Sequence, residues 1–223
     1  MENLAYFREL FRYFLCALLG FGLGGVLFSY HLPKLLKGID VYEASADHNP
    51  GTVNAFQSAG VPVGVLCLLC DLGKGFLPVF FAMRLVDPSR LWFALILCAP
   101  ALGHAMAPLY HHRGGKAIAA AFGALLGLLP VSFLVFLLAA LYLFFSLILV
   151  VRPHERRTVV TFGLFSILSA LAAFRTGRWS FALGAALLSA VVIAKNYRDA
   201  KLENSARGFR HRQKKEEPRI KEF

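Results

Sequence analysis

The chain has 223 residues, 57% of them hydrophobic, with a net charge of +11 and a mean hydropathy of +0.59. That composition places it among polytopic membrane proteins and leaves no room for a separate soluble catalytic domain. All four cysteines fall in apolar segments, where they read as small buried hydrophobes and support neither a disulfide nor a redox role.

A membrane span needs about 20 apolar residues. A short charged start (Glu2, Arg8, Glu9, Arg12) precedes the first predicted span, residues 13–32, which is too long for a signal-peptide core and is read as retained. Inside it, Gly20-Phe-Gly22-Leu-Gly24-Gly25 matches G-x-G-x-x-G, but the dinucleotide reading needs a preceding strand and a βαβ unit. Gly20 and Gly24 are a small-xxx-small pair, and close helix packing is the expectation. The polar loop 33–60 follows, rich in turn formers with many donors and acceptors.

The next apolar run, 61–86, carries Asp71-Leu-Gly-Lys74-Gly75-Phe-Leu-Pro78 in its middle. Asp71 and Lys74 at i, i+3 share a helix face and can pair. Gly73, Gly75 and Pro78 predict that the helix is broken or loosened there. Irregular backbone at membrane depth is tolerated only where it packs in protein or lines a wet cavity. Cys67 and Cys70 form a C-x-x-C, but no second pair completes a four-ligand zinc site.

The run 91–110 leads straight into His111-His112-Arg113-Gly114-Gly115-Lys116, and the apolar run 118–151, divided by Pro130, follows at once. Charge at the lip of a span is costly and marks a candidate functional site, the plain alternative being a positive-inside anchor. Paired glycines let the backbone approach a ligand, and adjacent N–H groups with a lysine head suit a phosphate. Two such Gly-Lys elements embedded in apolar sequence are hard to explain as two independent anchors. Neither is a Walker loop, because no Ser or Thr follows Lys74 or Lys116.

Spans at 159–174 and 180–194 complete the pattern. The prediction is an all-α, polytopic helical bundle of about seven transmembrane helices over residues 1–194, with a basic tail over 195–223. The tail holds ten Lys or Arg against five acids, so positive-inside bias puts the C-terminus in the cytoplasm against anionic headgroups. No nucleic-acid-binding module accompanies it.

Three segments, in order, resemble the acyl-phosphate-dependent glycerol-3-phosphate acyltransferases of bacterial membranes (PlsY-type). The first is matched at Gly38, Ile39, Asp40, Asn49, Gly51 and Asn54, and the second at Asp71, Lys74, Gly75 and Pro78. The third is matched at Gly103, His104, Gly114, Gly115 and Lys116. The resemblance implies a seven-helix protein of the bacterial inner membrane whose cytoplasmic-side cavity holds glycerol 3-phosphate and an acyl phosphate. The acceptor's hydroxyl attacks the acyl carbonyl, giving lysophosphatidate and inorganic phosphate, with no cofactor and no metal. The enzyme's share of that reaction is to bring two anions together and shield their charge.

On this resemblance His104 and Asn54 are the expected catalytic residues. Asn49, Gly51, Asp71, Lys74, Gly75, Arg113, Gly114, Gly115 and Lys116 are expected to bind substrate, the two lysines clamping phosphate on one shared anion pocket. The chain departs from the family pattern at Gly24-Gly25, where a Gly-Ser pair is expected unless Ser29 substitutes. It departs again at Tyr42 and Gln57, where the family has Arg, and in the tail around Lys195–Asp199, which lacks a His and Asn three apart. These departures motivate a second reading, a catalytically impaired relative that binds a phosphorylated lipid precursor or scaffolds lipid-synthesis enzymes. A small transporter is a third, with no inverted repeat to support it. Membrane lipids are expected partners, and the oligomeric state is left open by the sequence.

Overall fold

A computed structural model describes the backbone of residues 2–45, 47–110 and 114–216, and the side chains of residues 4–45, 47–110 and 114–197. The described secondary structure is helical throughout. In chain order the helices are α1 (Glu2–Gly24), α2 (Phe28–Lys37), α3 (Val41–Ala44), α4 (Thr52–Ala59) and α5 (Val61–Leu85). They continue as α6 (Phe93–Met106), α7 (Ile118–Leu126), α8 (Leu134–Leu143), α9 (His154–Thr176) and α10 (Trp179–Glu216).

Five stretches are long and apolar enough to cross a membrane: Leu4–Lys37, Val61–Leu85, Phe93–Tyr110, His154–Thr176 and Trp179–Tyr197. The run 118–151 divides around Pro130, as expected. Its pieces are α7, about 13 Å long, and a shorter apolar helix, Leu134–Ile148. The described residues therefore give five full-length spans and two shorter elements rather than a settled seven. α10 runs unbroken past residue 194 to Glu216, so the tail expected from 195 onward begins inside a helix.

The break at membrane depth falls in a different place from the one predicted. α5 is continuous through Gly73, Gly75 and Pro78, and a neighbouring helix presses closely on Gly75. A Cβ on Gly75 would lie 2.2 Å from Ala120 O of α7, and one on Gly123 of α7 would lie 2.0 Å from Leu72 O. The first span is the interrupted one. α1 ends at Gly24 and α2 starts at Phe28, leaving a short irregular bridge between them. Close approach is found here too. A Cβ on Gly24 would meet Pro100 O at 2.2 Å, and one on Gly103 would meet Phe21 O at 2.0 Å. In lipid, where burial supplies little attraction between helices, such small-residue seams hold a bundle together. The Gly20/Gly24 pair is used for packing, as its spacing implied.

α6 is the central helix, apolar on every side and buried along nearly its whole length. α1, α5, α7 and α10 pack around it. One end of the bundle is tied by Tyr13 Oη donating to Asp87 O at 2.7 Å and Ser180 Oγ donating to Pro88 O at 2.6 Å. The polar residues gather toward the other end. Counted along the helices from the tied end, Lys74 of α5 and His104 of α6 each lie about 16 Å in, and Asn196 of α10 about 26 Å.

Candidate functional site

The deeper of two polar clusters is built by the interrupted span. Where α1 stops, Val26 O is released from the helix ladder and accepts from Lys74 Nζ at 2.6 Å. Lys74 also meets Asp71 Oδ1 at 2.8 Å, the i, i+3 pair that a continuous α5 requires, and donates to His104 Nδ1 at 2.6 Å. A lysine ammonium has three donors, and these three contacts use them all. Asp71 is held in turn by Ser29 Oγ and by Thr52 Oγ1 at 3.1 Å, both donating to Oδ2. Asp71 is 1% exposed, Lys74 2% and His104 4%. That degree of closure makes the cluster a fixed part of the core and leaves Lys74 no donor for a ligand.

Because Lys74 only donates, His104 Nδ1 must accept, and the imidazole proton sits on Nε2. Nε2 faces the backbone of Gly115, where a Cβ would lie 2.3 Å away. Gly114 rests on the end of α6, its would-be Cβ 2.2 Å from both His104 O and Ala105 O. The paired glycines are thus needed for close packing on α6, and this contact sets where Lys116 emerges. Gly75 lies within α5, so its amide belongs to the helix ladder and completes no phosphate cradle.

The second cluster centres on Lys116. Its Nζ lies 3.1 Å from Asp47 Oδ2 and 3.2 Å from Glu155 Oε1 at the start of α9, with the lysine side chain 12% exposed. Burial disfavours the ammonium, but the two carboxylates outweigh it and raise the Lys116 pKa. Asn54 Nδ2 donates to Asp47 Oδ1 and to Asn49 O, each at 2.7 Å, stapling the 47–54 loop. Gly51 precedes α4 in extended backbone, its N–H on Asn49 O at 2.8 Å. Asn49 is 8% exposed, and its Oδ1 has no hydrogen-bond partner among the described residues. Asn196 of α10 is fully buried; it donates to Lys116 O at 3.4 Å and to Val192 O at 2.8 Å, while its Oδ1 also lacks a partner. Unpartnered buried acceptors are rare in a packed interior and suit a polar ligand, and in the deeper cluster the corresponding atom, Asp71 Oδ1, is met by Lys74 only as an ion pair.

The two predicted lysines therefore do not share one set of ligands. Lys74 closes on itself, and Lys116, with two partners among the described residues, keeps a donor to spare there. Arg113 lies outside the described residues. Tyr42 packs with its ring 5.0 Å from that of Tyr30, beside Lys34, and Gln57 is on the exposed side of α4. No sequence motif marks Thr52, Asp47, Glu155 or Asn196 as site residues, and Ser29 enters only as a substitute hydroxyl. The signals present were a carboxylate opening a charged helix start and an amide at the end of the last span. A separate apolar cleft of about 510 Å3 lies between α5 and α7, lined by Leu72, Gly73, Phe76, Phe80 and Leu129 among others, and not over the polar cluster.

The sequence profile of the family described as glycerol-3-phosphate acyltransferase matches residues 14–202. This chain belongs to that family. A glycerol-3-phosphate acyltransferase 2 of Bacillus cereus is 31% identical over 82% of this chain and 87% of its own length. The glycerol-3-phosphate acyltransferase of Hydrogenobaculum is 29% identical over 82% and 89%. A glycerol-3-phosphate acyltransferase 2 of Thermotoga maritima is 39% identical over 50% of the chain, a stretch spanning only 56% of the Thermotoga protein. A crystal structure of PlsY, an integral membrane glycerol 3-phosphate acyltransferase, in its glycerol 3-phosphate form has a TM-score of 0.71 over 87% of this chain and 93% of that one. Its lysophosphatidic acid form has a TM-score of 0.70, and sequence identity is 21% in both cases, so these two establish a common integral membrane fold.

Proposed function

We propose that this protein is a membrane acyltransferase that moves an acyl group from acyl phosphate to glycerol 3-phosphate, giving lysophosphatidate and inorganic phosphate for phospholipid synthesis. The observation that carries this reading is the Lys116 cluster. It offers a partly exposed ammonium with a spare donor, flanked by the unpartnered acceptors of Asn49 and Asn196. Lys116 suits the phosphate, and Asn49 Oδ1 suits a glycerol hydroxyl. The acceptor's primary hydroxyl attacks the acyl carbonyl, the carbonyl–phosphate C–O bond breaks, and phosphate leaves as a good leaving group able to accept the hydroxyl proton. No protein nucleophile is required. The chain's residues hold two anions together and offset their repulsion, a task for positioning and fixed donors.

In this reading Lys74, Asp71 and His104 support the site from below. Asn54 shapes the loop, and Gly114 and Gly115 bring Lys116 to its place. The apolar cleft beginning at Leu72 and Gly73 is suited to the acyl chain. The segment after residue 194 carries ten Lys or Arg, and α10 runs into it from the Lys116 end, so in this reading that end faces the cytoplasm of a bacterial inner membrane. Protein purified into nanodiscs and supplied with both substrates is expected to release phosphate and lysophosphatidate in equal amounts. Turnover no higher than that of a Lys116→Gln control would overturn the reading. Binding without turnover would favour the impaired relative, for which the occupation of Lys116 by two carboxylates is the motive.

A further inference from the structure

At the start of α9, beside the Lys116 cluster, stands a cation for which the sequence motifs gave no role. Arg157 is half-buried, and its Nη2 lies 2.8 Å from His154 Nδ1. Its guanidinium carbon is 5.8 Å from the centre of the Tyr142 ring on α8, whose hydroxyl is 3.0 Å from Thr158 Oγ1. The Nε atom is buried with no hydrogen-bond partner among the described residues. The described ion pairs give both neighbouring carboxylates, Asp47 and Glu155, to Lys116 and none to Arg157. Lys116 is close enough to act electrostatically on both His154 and Tyr142, so the two cations belong to one neighbourhood.

A half-buried guanidinium with an orphaned N–H and no counter-ion among the described residues is costly unless something else satisfies it. Its planar fork of donors matches phosphate oxygens, and it is already oriented by an aromatic face and an imidazole. Because arginine only donates, His154 Nδ1 accepts, which leaves the His154 proton on Nε2 as one more donor. We infer that Arg157, positioned by His154 and Tyr142, is a second ligand for a phosphate monoester at the Lys116 site. This rests on reading Lys116 as the phosphate cation. The phosphate takes Arg157 Nε and an Nη donor on one side and the spare Lys116 donor on the other, and Asp47, a loop carboxylate, is the Lys116 partner it displaces.

The chemistry recognised is a phosphate dianion, carried by the acceptor or by the acyl donor, and kinetics tell the two apart. Wild type, Arg157→Gln, Arg157→Lys, Lys116→Gln and the exposed neighbour Arg156→Gln are compared in nanodiscs. The readouts are KM for glycerol 3-phosphate, KM for acyl phosphate, and the rise in Tm caused by inorganic phosphate. Arg157→Gln is expected to raise the KM of one substrate about 10- to 100-fold, to leave the other within a few-fold, and to weaken the phosphate-induced rise. The substrate whose KM moves identifies the source of the phosphate. Arg157→Lys recovers part of the effect, and Arg156→Gln stays near wild type. Unchanged KM values and an unchanged phosphate response in Arg157→Gln overturn the inference, even if its baseline Tm falls. Should that variant fail to fold, Arg157→Lys decides, wild-type KM values overturning the inference. If Lys116→Gln abolishes the phosphate response while Arg157→Gln keeps it, only this inference fails. If neither matters, the reading of Lys116 fails as well.

Discussion

Two lysines from similar Gly-Lys elements occupy opposite situations in this bundle. Lys74 is sealed among Asp71, His104 and Val26 O, with every donor used and almost no exposure. Lys116, whose carbonyl is held by Asn196 about 10 Å further along the bundle by helix rise, is paired with two carboxylates from different segments and still partly open. A buried ion pair this enclosed is a structural element, and removing one member is far worse than removing both. A partly exposed pair with a spare donor is exchangeable, since an incoming anion can replace a carboxylate with little reorganisation. The same residue type and the same glycine neighbours thus yield a closed ion pair in one place and, in the proposed function, a binding group in the other.

The strongest way to break this contrast is at Lys74. Lys74→Met strands the Asp71 carboxylate in the core and is expected to cost about 3–5 kcal/mol, seen as a large fall in Tm in detergent or nanodiscs. Adding Asp71→Leu should restore much of that stability; a double variant no better than the single would argue against a closed structural pair. Lys116→Gln should leave Tm within a few degrees of wild type while lowering kcat/KM about 100-fold, the share of binding carried by one charge-assisted phosphate contact. Asn54→Ala removes the staple on Asp47 and Asn49 O, with an expected loss of about 1 kcal/mol and a several-fold rise in KM for glycerol 3-phosphate. An unchanged KM would remove the loop from the site.

The smallest expected effect concerns pH. The folded-state pKa of Lys116 is raised, so the stability from its ion pairs is fully present below the ordinary lysine value. It is lost only as pH climbs through the raised one. Phosphate affinity should therefore show no lysine limb between about pH 7 and pH 9. A decline over that range abolished by Lys116→Gln would contradict the ion-pair geometry.

Much of this was legible in the sequence because hydropathy and positive charge report directly on a bilayer. The bundle, the division at Pro130, the Asp71–Lys74 pair and the small-residue packing of Gly20 and Gly24 all follow from spacing. The break in a span was misplaced for a physical reason. Gly75 sits in a continuous α5 with α7 packed tightly on it, whereas α1 ends where Gly24 meets Pro100 of α6, contacts that no local pattern reveals. The separation of the two lysines was hidden for the same cause. Whether a lysine is saturated depends on Val26, His104, Asp47 and Glu155, residues remote in sequence that become neighbours only when the helices assemble.

The most direct measurement is a titration of glycerol 3-phosphate into wild type and Lys116→Gln in nanodiscs, followed by Tm. Wild type should gain stability with increasing ligand, while the variant starts from nearly the same Tm and shows no gain. An equal rise in both proteins would contradict the assignment of the anion site to Lys116.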